Sequence, residues 1–302
     1  MPFVHASRLL SLAKSAGRPR TLAVAAAAEL ACLEAVVVAE AEGLVKPRLF
    51  GDRPEIERLL RSLDAAPERF AIEHVPDPTA AARRACEEIA AGRAHVLMKG
   101  LIQTGDLLRV FFDKQYGLRL DQPLSHVGLF EVPGYERLFA VSDAAINIAP
   151  DEERLFRVVQ NAVGVMRRLG WERPRVALLA ATNRVFEGQP ATVLASRVAS
   201  RAARELPAEA VGPLALDEAV SAAAAATKGT TGSAVAGRAD ILIVPNLESG
   251  NILYKSLTLF AHAKVVGTCV GGKVPLVITS RSDSEETKLL SMALSCHLAG
   301  PS

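Results

Sequence analysis

The sequence predicts an α/β fold of two α/β domains with mainly parallel sheets. Short runs such as Ile241–Val244 are hydrophobic at every position, which is typical of a parallel strand covered on both faces. Helical stretches lie between these runs, the clearest over residues 151–169, where apolar side chains recur every three or four positions. Strands that alternate with helices indicate a parallel sheet, and 302 residues are enough for two such lobes.

The elements can be predicted in chain order. A first amphipathic helix carries Leu9, Leu12 and Ala13 on one face. The Pro133–Gly134 pair lies between two strand-like runs and predicts a hairpin, and the alanine-rich stretch 219–226 predicts a helix. The predicted strands are Leu22–Ala26, Arg48–Phe50, His95–Met98, Val127–Val132, Leu138–Val141, Val176–Ala180, Ile241–Val244 and Leu276–Thr279.

Composition excludes several classes of protein. Half of the residues are hydrophobic, 23% are charged and the net charge is +2, which excludes a disordered chain and gives no sign of nucleic-acid binding. No uncharged apolar run reaches the length of about 18 residues that a membrane helix needs. The four cysteines form no CxxC pair, which favours a reducing compartment. We therefore expect a cytoplasmic protein, although the basic segment 1–20 also has the composition of a mitochondrial targeting peptide.

In such folds ligands bind beyond the carboxyl ends of the strands, so the loops after the strands are the expected site. Lys99 and Gly100 follow the strand His95–Met98 and precede a polar helix start at Thr104. A lysine and free backbone N–H groups can hold an anion there. An ordinary capped helix with a surface lysine fits the same residues.

Two later loops carry further polar side chains. After Leu138–Val141, Asp143 and Asn147 could shape a ligand wall, or Asp151 could simply cap the long helix that follows. After Ile241–Val244, four polar side chains gather at one strand–helix junction, which is more than capping requires. These are Asn246, Glu248, Asn251 and Lys255.

Ser280 and Arg281, after the last predicted strand, form the best single anion-site candidate. Ser282 and Glu285 have the spacing of a capping box, in which the serine is the N-cap. This spacing predicts that a helix starts directly after Ser282. A guanidinium just before a helix N-terminus favours an oxyanion or a phosphate.

Three familiar patterns are not supported. Residues 267–274 have the spacing of a phosphate loop, but Val274 replaces the hydroxyl that would bind Mg²⁺, and a strand is expected next instead of a helix. The chain also has no GxGxxG motif after a strand and no GxSxG elbow, so a standard nicotinamide domain and a serine hydrolase are unsupported. His126 is a lone histidine, for which a structural role is favoured.

Taken together, these segments resemble the phosphate acetyl/butyryltransferase family. The sequences of Phe130–Tyr135 and Ser280–Lys288 resemble the butyryl-type branch more than the acetyl-type branch. The matching stretches run in order over residues 20–297 and are Met98–Gly100, Thr104–Arg109, Ser125–Tyr135, Ser142–Pro150, Ala239–Lys255 and Thr279–Lys288.

The resemblance implies a fold similar to the isocitrate/isopropylmalate dehydrogenases, with the active cleft between the two domains. It implies a discontinuous first domain, residues 1–121 completed by 276–302, and a second domain over residues 122–275. It further implies a homodimer that uses acyl-CoA and phosphate. No metal and no cofactor are expected, because CoA is a substrate, and neither nucleic acid nor a membrane is expected as a partner.

The family's reaction converts acyl-CoA and phosphate into acyl phosphate and CoA, without a covalent intermediate. By resemblance, Arg281 stabilises the oxyanion of the tetrahedral intermediate and Ser280 donates a hydrogen bond to the phosphate or the departing sulfur. Arg109 matches a further active-site arginine. Other candidates for binding phosphate or CoA are Lys99, Thr104, Asn147, Asn246, Asn251 and Lys255.

The sequence departs from the acetyl-type pattern in two places. Thr287 stands where that pattern has an aspartate that acts on the CoA thiol, so either the neighbouring Glu286 takes this role or no dedicated base is needed. Residues 252–263 lack an arginine that the acetyl type carries. The sequence therefore does not decide whether the acyl group of the substrate is acetyl or butyryl.

Two alternatives stay open. The first is a catalytically silent protein that binds CoA or acyl phosphate, which the threonine at position 287 favours. The second is a dehydrogenase of the same fold superfamily, although no nucleotide site and no group of metal-binding aspartates can be identified.

Overall fold

The computed structural model describes residue 5 and residues 8–14, 19–279 and 283–300. These residues form two compact units. The central unit comprises residues 122–265 with His5, and the terminal unit comprises the described residues up to 121 and from 266 onward. The resemblance placed the return of the chain to the first domain at residue 276. By contacts along the backbone, the terminal unit resumes at residue 266, within the strand over residues 264–270, which pairs with the strand that starts at Leu276.

Strands and helices alternate along most of the chain. The strands are β1 (Arg20–Ala25), β2 (Val45–Gly51), β3 (Ala71–His74), β4 (Val96–Lys99), β5 (Ser125–Glu131), β6 (Phe139–Ser142), β7 (Arg175–Leu179), β8 (Glu209–Leu214), β9 (Ile241–Ile243), β10 (Lys264–Val270) and β11 (Leu276–Val277). The helices are α1 (Arg8–Lys14), α2 (Leu30–Ala41), α3 (Arg53–Ser62), α4 (Pro78–Ala90), α5 (Thr104–Phe111), α6 (Glu152–Arg168), α7 (Pro190–Glu205), α8 (Leu216–Val220), α9 (Ala222–Thr227), α10 (Leu247–Leu259) and α11 (Glu285–Leu298). Single 3₁₀ turns lie at Pro67–Arg69 and Lys114–Tyr116.

The terminal unit is built on a parallel sheet. Its strands β3, β2, β1, β4 and β11 are neighbours in that order and all run parallel, while β10 lies antiparallel to β11. The four residues Leu22–Ala25 of β1 are completely buried, as expected for a parallel strand covered on both faces. The expected N-terminal helix is confirmed as α1, with Leu9 and Ala13 buried.

The central unit combines one hairpin with parallel strands. The Pro133–Gly134 turn joins β5 to the antiparallel β6, as predicted, and Gly134 has a left-handed φ of 79°. Strands β6, β9, β7 and β8 then follow in parallel. The core between them includes Phe130, Phe139 and Leu242.

Two sequence predictions need correction, and the rejection of a third feature is supported. The alanine-rich stretch 219–226 is not one helix, because Ser221 ends α8 and its hydroxyl caps α9 by accepting a hydrogen bond from Ala224 N at 3.3 Å. The capping box does not start α11 at Ser282, since the helix begins at Glu285 and Ser284 is its N-cap. The segment with phosphate-loop spacing begins on strand β10, which agrees with its rejection as a phosphate site.

Within the described residues, no helix combines the length and the apolar composition that crossing a membrane requires.

Candidate active site

The candidate residues of the terminal unit follow neighbouring strands. Strands β1, β4 and β11 lie side by side and parallel, so their carboxyl ends meet at one edge of the sheet. Lys99 is the last residue of β4, and the segment after β11 leads into α11 through Ser280 and Arg281. These two residues lie outside the described part of the chain.

Lys99 is held in the turn after β4. Its Nζ donates hydrogen bonds to the carbonyl oxygens of Gly100 at 3.1 Å and Ile102 at 3.2 Å. Gly100 passes so close to the end of β1 that a Cβ atom there would lie 2.3 Å from Ala26 O. No side chain fits at position 100, which explains the glycine and fixes the path of the turn that leads to Thr104, the first residue of α5.

Arg109 lies one turn further along α5. Its side chain is 80% exposed, and its Nη1 donates to Asp106 Oδ1 at 2.8 Å within the same helix. The guanidinium is therefore available to a solvent-borne ligand.

The first turn of α11 explains what Thr287 does. Its backbone N donates to Ser284 Oγ at 3.2 Å, and the Ser284 hydroxyl donates to Thr287 Oγ1 at 3.1 Å. The threonine at the acetyl-type acid position thus completes the helix cap. Glu286 is exposed beside it.

A second lysine, which sequence reasoning missed, lies at the same edge. Lys288 is buried in the first turns of α11, and its Nζ donates to the carbonyl oxygen of Asp283. Burial raises the pKa of the nearby Cys32 thiol to about 12; Glu29 adds to this rise, and the ammonium groups of Lys99 and Lys288 oppose it. The sequence did contain a signal, because Lys288 shares a helix face with Ser291, Met292 and Ser295, which are all buried.

In the central unit, the loop after β6 is folded around Asp143. The buried carboxylate accepts hydrogen bonds from the backbone N of Ala145 at 2.8 Å, of Ile146 at 3.0 Å and of Asn147 at 3.2 Å. The side-chain Nδ2 of Asn147 donates to Asp143 and to Leu124 O. Asn147 therefore holds the loop in shape with its amide nitrogen. Asp151 caps α6, as expected, by accepting from Arg154 N at 2.8 Å.

The N-terminus of α10 packs against that loop. Asn246 caps the helix by accepting from Ser249 N at 2.9 Å, and Asn251 Nδ2 reaches Ala144 O at 3.5 Å. A Cβ atom at Gly250 would lie 2.5 Å from Asp143 O, so only glycine permits this approach. The structure thus brings Asn147, Asn246 and Asn251 together in the central unit.

Lys255 lies one turn further along α10 than Asn251. Its Nζ is 5.3 Å from the centre of the Tyr254 ring, and it forms no ion pair with any described residue. This half-buried ammonium group is available to an anionic ligand.

Sequence reasoning also missed an apolar cavity of about 590 Å³ within the central unit. It opens where β7 and β9 end and where α7 and α10 begin, and Leu216, Val244 and Leu253 contribute to its walls. These side chains are distant in sequence and have no chemical signature, so no pattern pointed to them. Among the described residues, no group of three or more His, Cys, Asp or Glu side chains is arranged to hold a metal ion.

Comparison with known proteins identifies the family. The family described as "Phosphate acetyl/butaryl transferase" matches residues 72–296. A phosphate acetyltransferase of Thermotoga maritima is 40% identical over 294 residues, which cover 97% of this chain and 99% of that protein. The chain belongs to the phosphate acetyl/butyryl transferase family. A probable phosphate butyryltransferase of Bacillus subtilis is 42% identical, with 91% of this chain and 92% of that protein covered.

Solved structures confirm the α/β fold of this family member. A branched-chain phosphotransacylase from Enterococcus faecalis superposes with a TM-score of 0.83 at 36% identity, covering 93% of this chain and 99% of that one. A 4-hydroxythreonine-4-phosphate dehydrogenase from Burkholderia phymatum has a TM-score of 0.54 at 16% identity over 95% of this chain and 100% of that chain, which shows the fold alone. The recognition of the family and the acyltransferase class are thereby confirmed.

The candidate residues of this phosphate acetyl/butyryl transferase fall into two sets, one in each unit. The terminal unit carries Lys99, Thr104, Arg109 and Glu286, with Lys288 in addition. The central unit carries Asn147, Asn246, Asn251 and Lys255.

Proposed function

We propose that the protein interconverts acyl-CoA plus phosphate with acyl phosphate plus CoA, the acyl group being acetyl or butyryl. The observation that carries the proposal is the family match over residues 72–296, together with relatives named phosphate acetyltransferase and probable phosphate butyryltransferase at 40% and 42% identity. The ammonium groups of Lys99 and Lys288, at the carboxyl edge of the terminal sheet, support it, because the reaction needs cationic groups to bind phosphate.

The proposed reaction is a direct transfer. A phosphate oxygen attacks the thioester carbonyl carbon, and the C–O bond forms as the carbonyl electrons move to oxygen. The tetrahedral intermediate then collapses, the C–S bond breaks, and CoA leaves as a thiolate that takes up a proton. Arg281 stabilises the oxyanion and Ser280 donates a hydrogen bond to the phosphate or the sulfur, so that positioning and electrostatics lower the barrier.

The other candidates have supporting roles in this proposal. Arg109 brings a second guanidinium to the reacting anions, and Lys99 and Thr104 bind phosphate. Asn147, Asn246, Asn251 and Lys255 bind CoA or its phosphates, with the ammonium group of Lys255 supplying the charge. In the reverse direction, Glu286 takes the proton of the CoA thiol.

The test is CoA release from acetyl-, propionyl- and butyryl-CoA, followed with a thiol reagent with and without phosphate. We expect phosphate-dependent release that ranks the chain lengths. Arg281→Ala should abolish it, lowering the rate by about a hundredfold or more, as is typical when one donor to an oxyanion is lost. Arg204→Ala is the matched control, because it removes an exposed arginine from α7 of the central unit and should leave the rate unchanged. Because the proposal needs no metal or cofactor, EDTA should have no effect.

One observation favours a second candidate function, a catalytically silent protein that binds CoA or acyl phosphate. Thr287 occupies the acid position and its hydroxyl is used in the helix cap. Calorimetric binding of CoA without release from any of the three thioesters would establish this alternative and contradict acyl transfer.

We also propose a homodimer that works in the cytoplasm. The dimer follows from the family resemblance, and the reducing compartment is supported by the four free and buried cysteines, Cys32, Cys86, Cys269 and Cys296. Light scattering should give twice the chain mass of 32.0 kDa, and a monomer mass at micromolar concentration would contradict the dimer.

A further inference from the structure

Lys288 is a buried cation that has no acidic partner among the described residues. It is the fourth residue of α11, and only 4% of its surface is exposed. Within the described part of the chain, its Nζ has one hydrogen-bond acceptor, the carbonyl oxygen of Asp283, and no carboxylate lies within ion-pair distance. An ammonium group has three donors, so this leaves hydrogen-bonding capacity for another acceptor.

Stability does not explain a lysine at this position. Removing an ammonium group from water is costly unless an anion compensates for the lost hydration. The N-terminal turns of a helix are also the positive end of its dipole, where a cation is unfavourable. The nearby acids Glu285 and Glu286 are exposed, and the cap is already supplied by Ser284 and Thr287. The fold therefore bears a cost that an anionic ligand would offset.

The surroundings of Lys288 are those of an anion site. Strand β11, which leads to α11, is parallel to β4, which ends at Lys99. Both ammonium groups act electrostatically on the buried thiol of Cys32 in α2, as does the carboxylate of Glu29. Two lysines and one glutamate at a strand edge leave a net positive charge, before any arginine is counted.

We propose that Lys288, together with Lys99, binds the phosphate that attacks the thioester, or the phosphoryl group of the acyl phosphate in the reverse direction. The inference rests on the proposed acyl transfer and adds a phosphate-binding residue to it. A charge-assisted hydrogen bond from Lys288, with the positive charge of Lys99 nearby, would hold the dianion and compensate for the burial of Lys288.

The test compares Lys288→Met and Lys288→Arg with the wild-type protein. Methionine keeps the length and apolar stem of lysine without its charge, and arginine keeps the charge. Lys46→Met is the matched control, because Lys46 is an exposed lysine near the amino end of β2, at the opposite edge of the same sheet. The measurements are KM for phosphate, KM for acyl-CoA, and Tm with and without inorganic phosphate.

We expect Lys288→Met to raise KM for phosphate about tenfold or more, the effect of losing one charged hydrogen bond, with KM for acyl-CoA unchanged. Its Tm in phosphate-free buffer should rise, because an uncompensated buried charge is gone, and the increase in Tm on adding phosphate should be lost. Lys288→Arg should recover part of the phosphate affinity, and Lys46→Met should behave as wild type.

The inference would be overturned by a Lys288→Met protein with a lower Tm and an unchanged KM for phosphate, the result expected if Lys288 only anchors the Asp283 carbonyl. Failure of the proposed function has a different signature, namely no phosphate-dependent CoA release by the wild-type protein. In that case the Tm comparison with inorganic phosphate still decides whether Lys288 binds it.

Discussion

Thr287 shows how one side chain can change its task without disturbing the fold. An aspartate at this third helical position would stabilise the N-terminus of α11 by its negative charge. Threonine instead stabilises it through hydrogen bonds with Ser284. The position is therefore structurally complete without an acid. Any proton transfer at this end of α11 must use a different side chain, and Glu286 is the exposed acid directly before it.

The role of Glu286 can be tested in the direction that consumes CoA and acyl phosphate. A base matters most where the thiol is protonated, so Glu286→Gln should lower the rate about tenfold or more near pH 7. The deficit should shrink above about pH 8.5, where free thiols ionise without assistance. Glu285→Gln removes the same charge from the same helix turn and is the control for a purely electrostatic effect on α11. Equal turnover of Glu286→Gln and wild type at every pH would show that no dedicated base is needed.

At the scale of elements, the strongly apolar strands could be predicted and the outer strands could not. The predicted run at Ile241–Val244 contains β9, and all four of its residues are buried. In contrast, β3 and β8 are the outermost strands of their units, and they carry charged residues or the Gly212–Pro213 pair, so their sequences lack the continuous apolar run. Strand β10 escaped prediction because Gly267 and the glycines after Val270 resemble a loop.

The start of α11 could be predicted only approximately. Three serines, at positions 280, 282 and 284, precede the helix and could each act as its N-cap. Spacing alone therefore does not decide which serine caps α11. The structure selects Ser284, since the backbone becomes helical at Glu285. In the same way, the polar residues at the carboxyl ends of the strands could be found from the strand pattern, whereas the loop geometry around Asp143 depends on contacts that the sequence does not display.

At the scale of the whole molecule, each unit contains its own buried ion pairs. In the central unit, Asp240 is almost fully buried and accepts hydrogen bonds from Arg137 at 2.6 Å and from Arg175 Nε at 2.8 Å. In the terminal unit, the buried Glu88 accepts from Arg93 Nε at 2.9 Å and pairs with Arg48. Hydrogen bonding to Arg93 lowers the pKa of Glu88. These two buried carboxylates are thus paired with arginines of their own units.

The chain path of the two units differs, and this predicts different behaviour of fragments. Residues 122–265 contain the continuous central unit with β5 to β9 and their core, so this fragment should unfold cooperatively in urea. Residues 1–121 lack β11 and α11, whose Leu290, Met292 and Leu294 are buried. Each such side chain contributes about 1.5–3 kcal/mol, and the loss of all three approaches the 5–15 kcal/mol that stabilises a typical domain. The fragment 1–121 should therefore not fold by itself.

Circular dichroism during urea titration measures both outcomes, and the single tryptophan, Trp171, reports on the central unit alone by its fluorescence. The full chain is the reference. Its tryptophan fluorescence should show a cooperative urea transition, as should that of fragment 122–265. Adding residues 266–302 to fragment 1–121 as a separate peptide should restore part of its helical signal, because α1 and α2 pack against α11. A cooperative transition for fragment 1–121 alone would show that β11 and α11 are not needed for its stability, and the absence of a transition for fragment 122–265 would show that the central unit is not stable by itself.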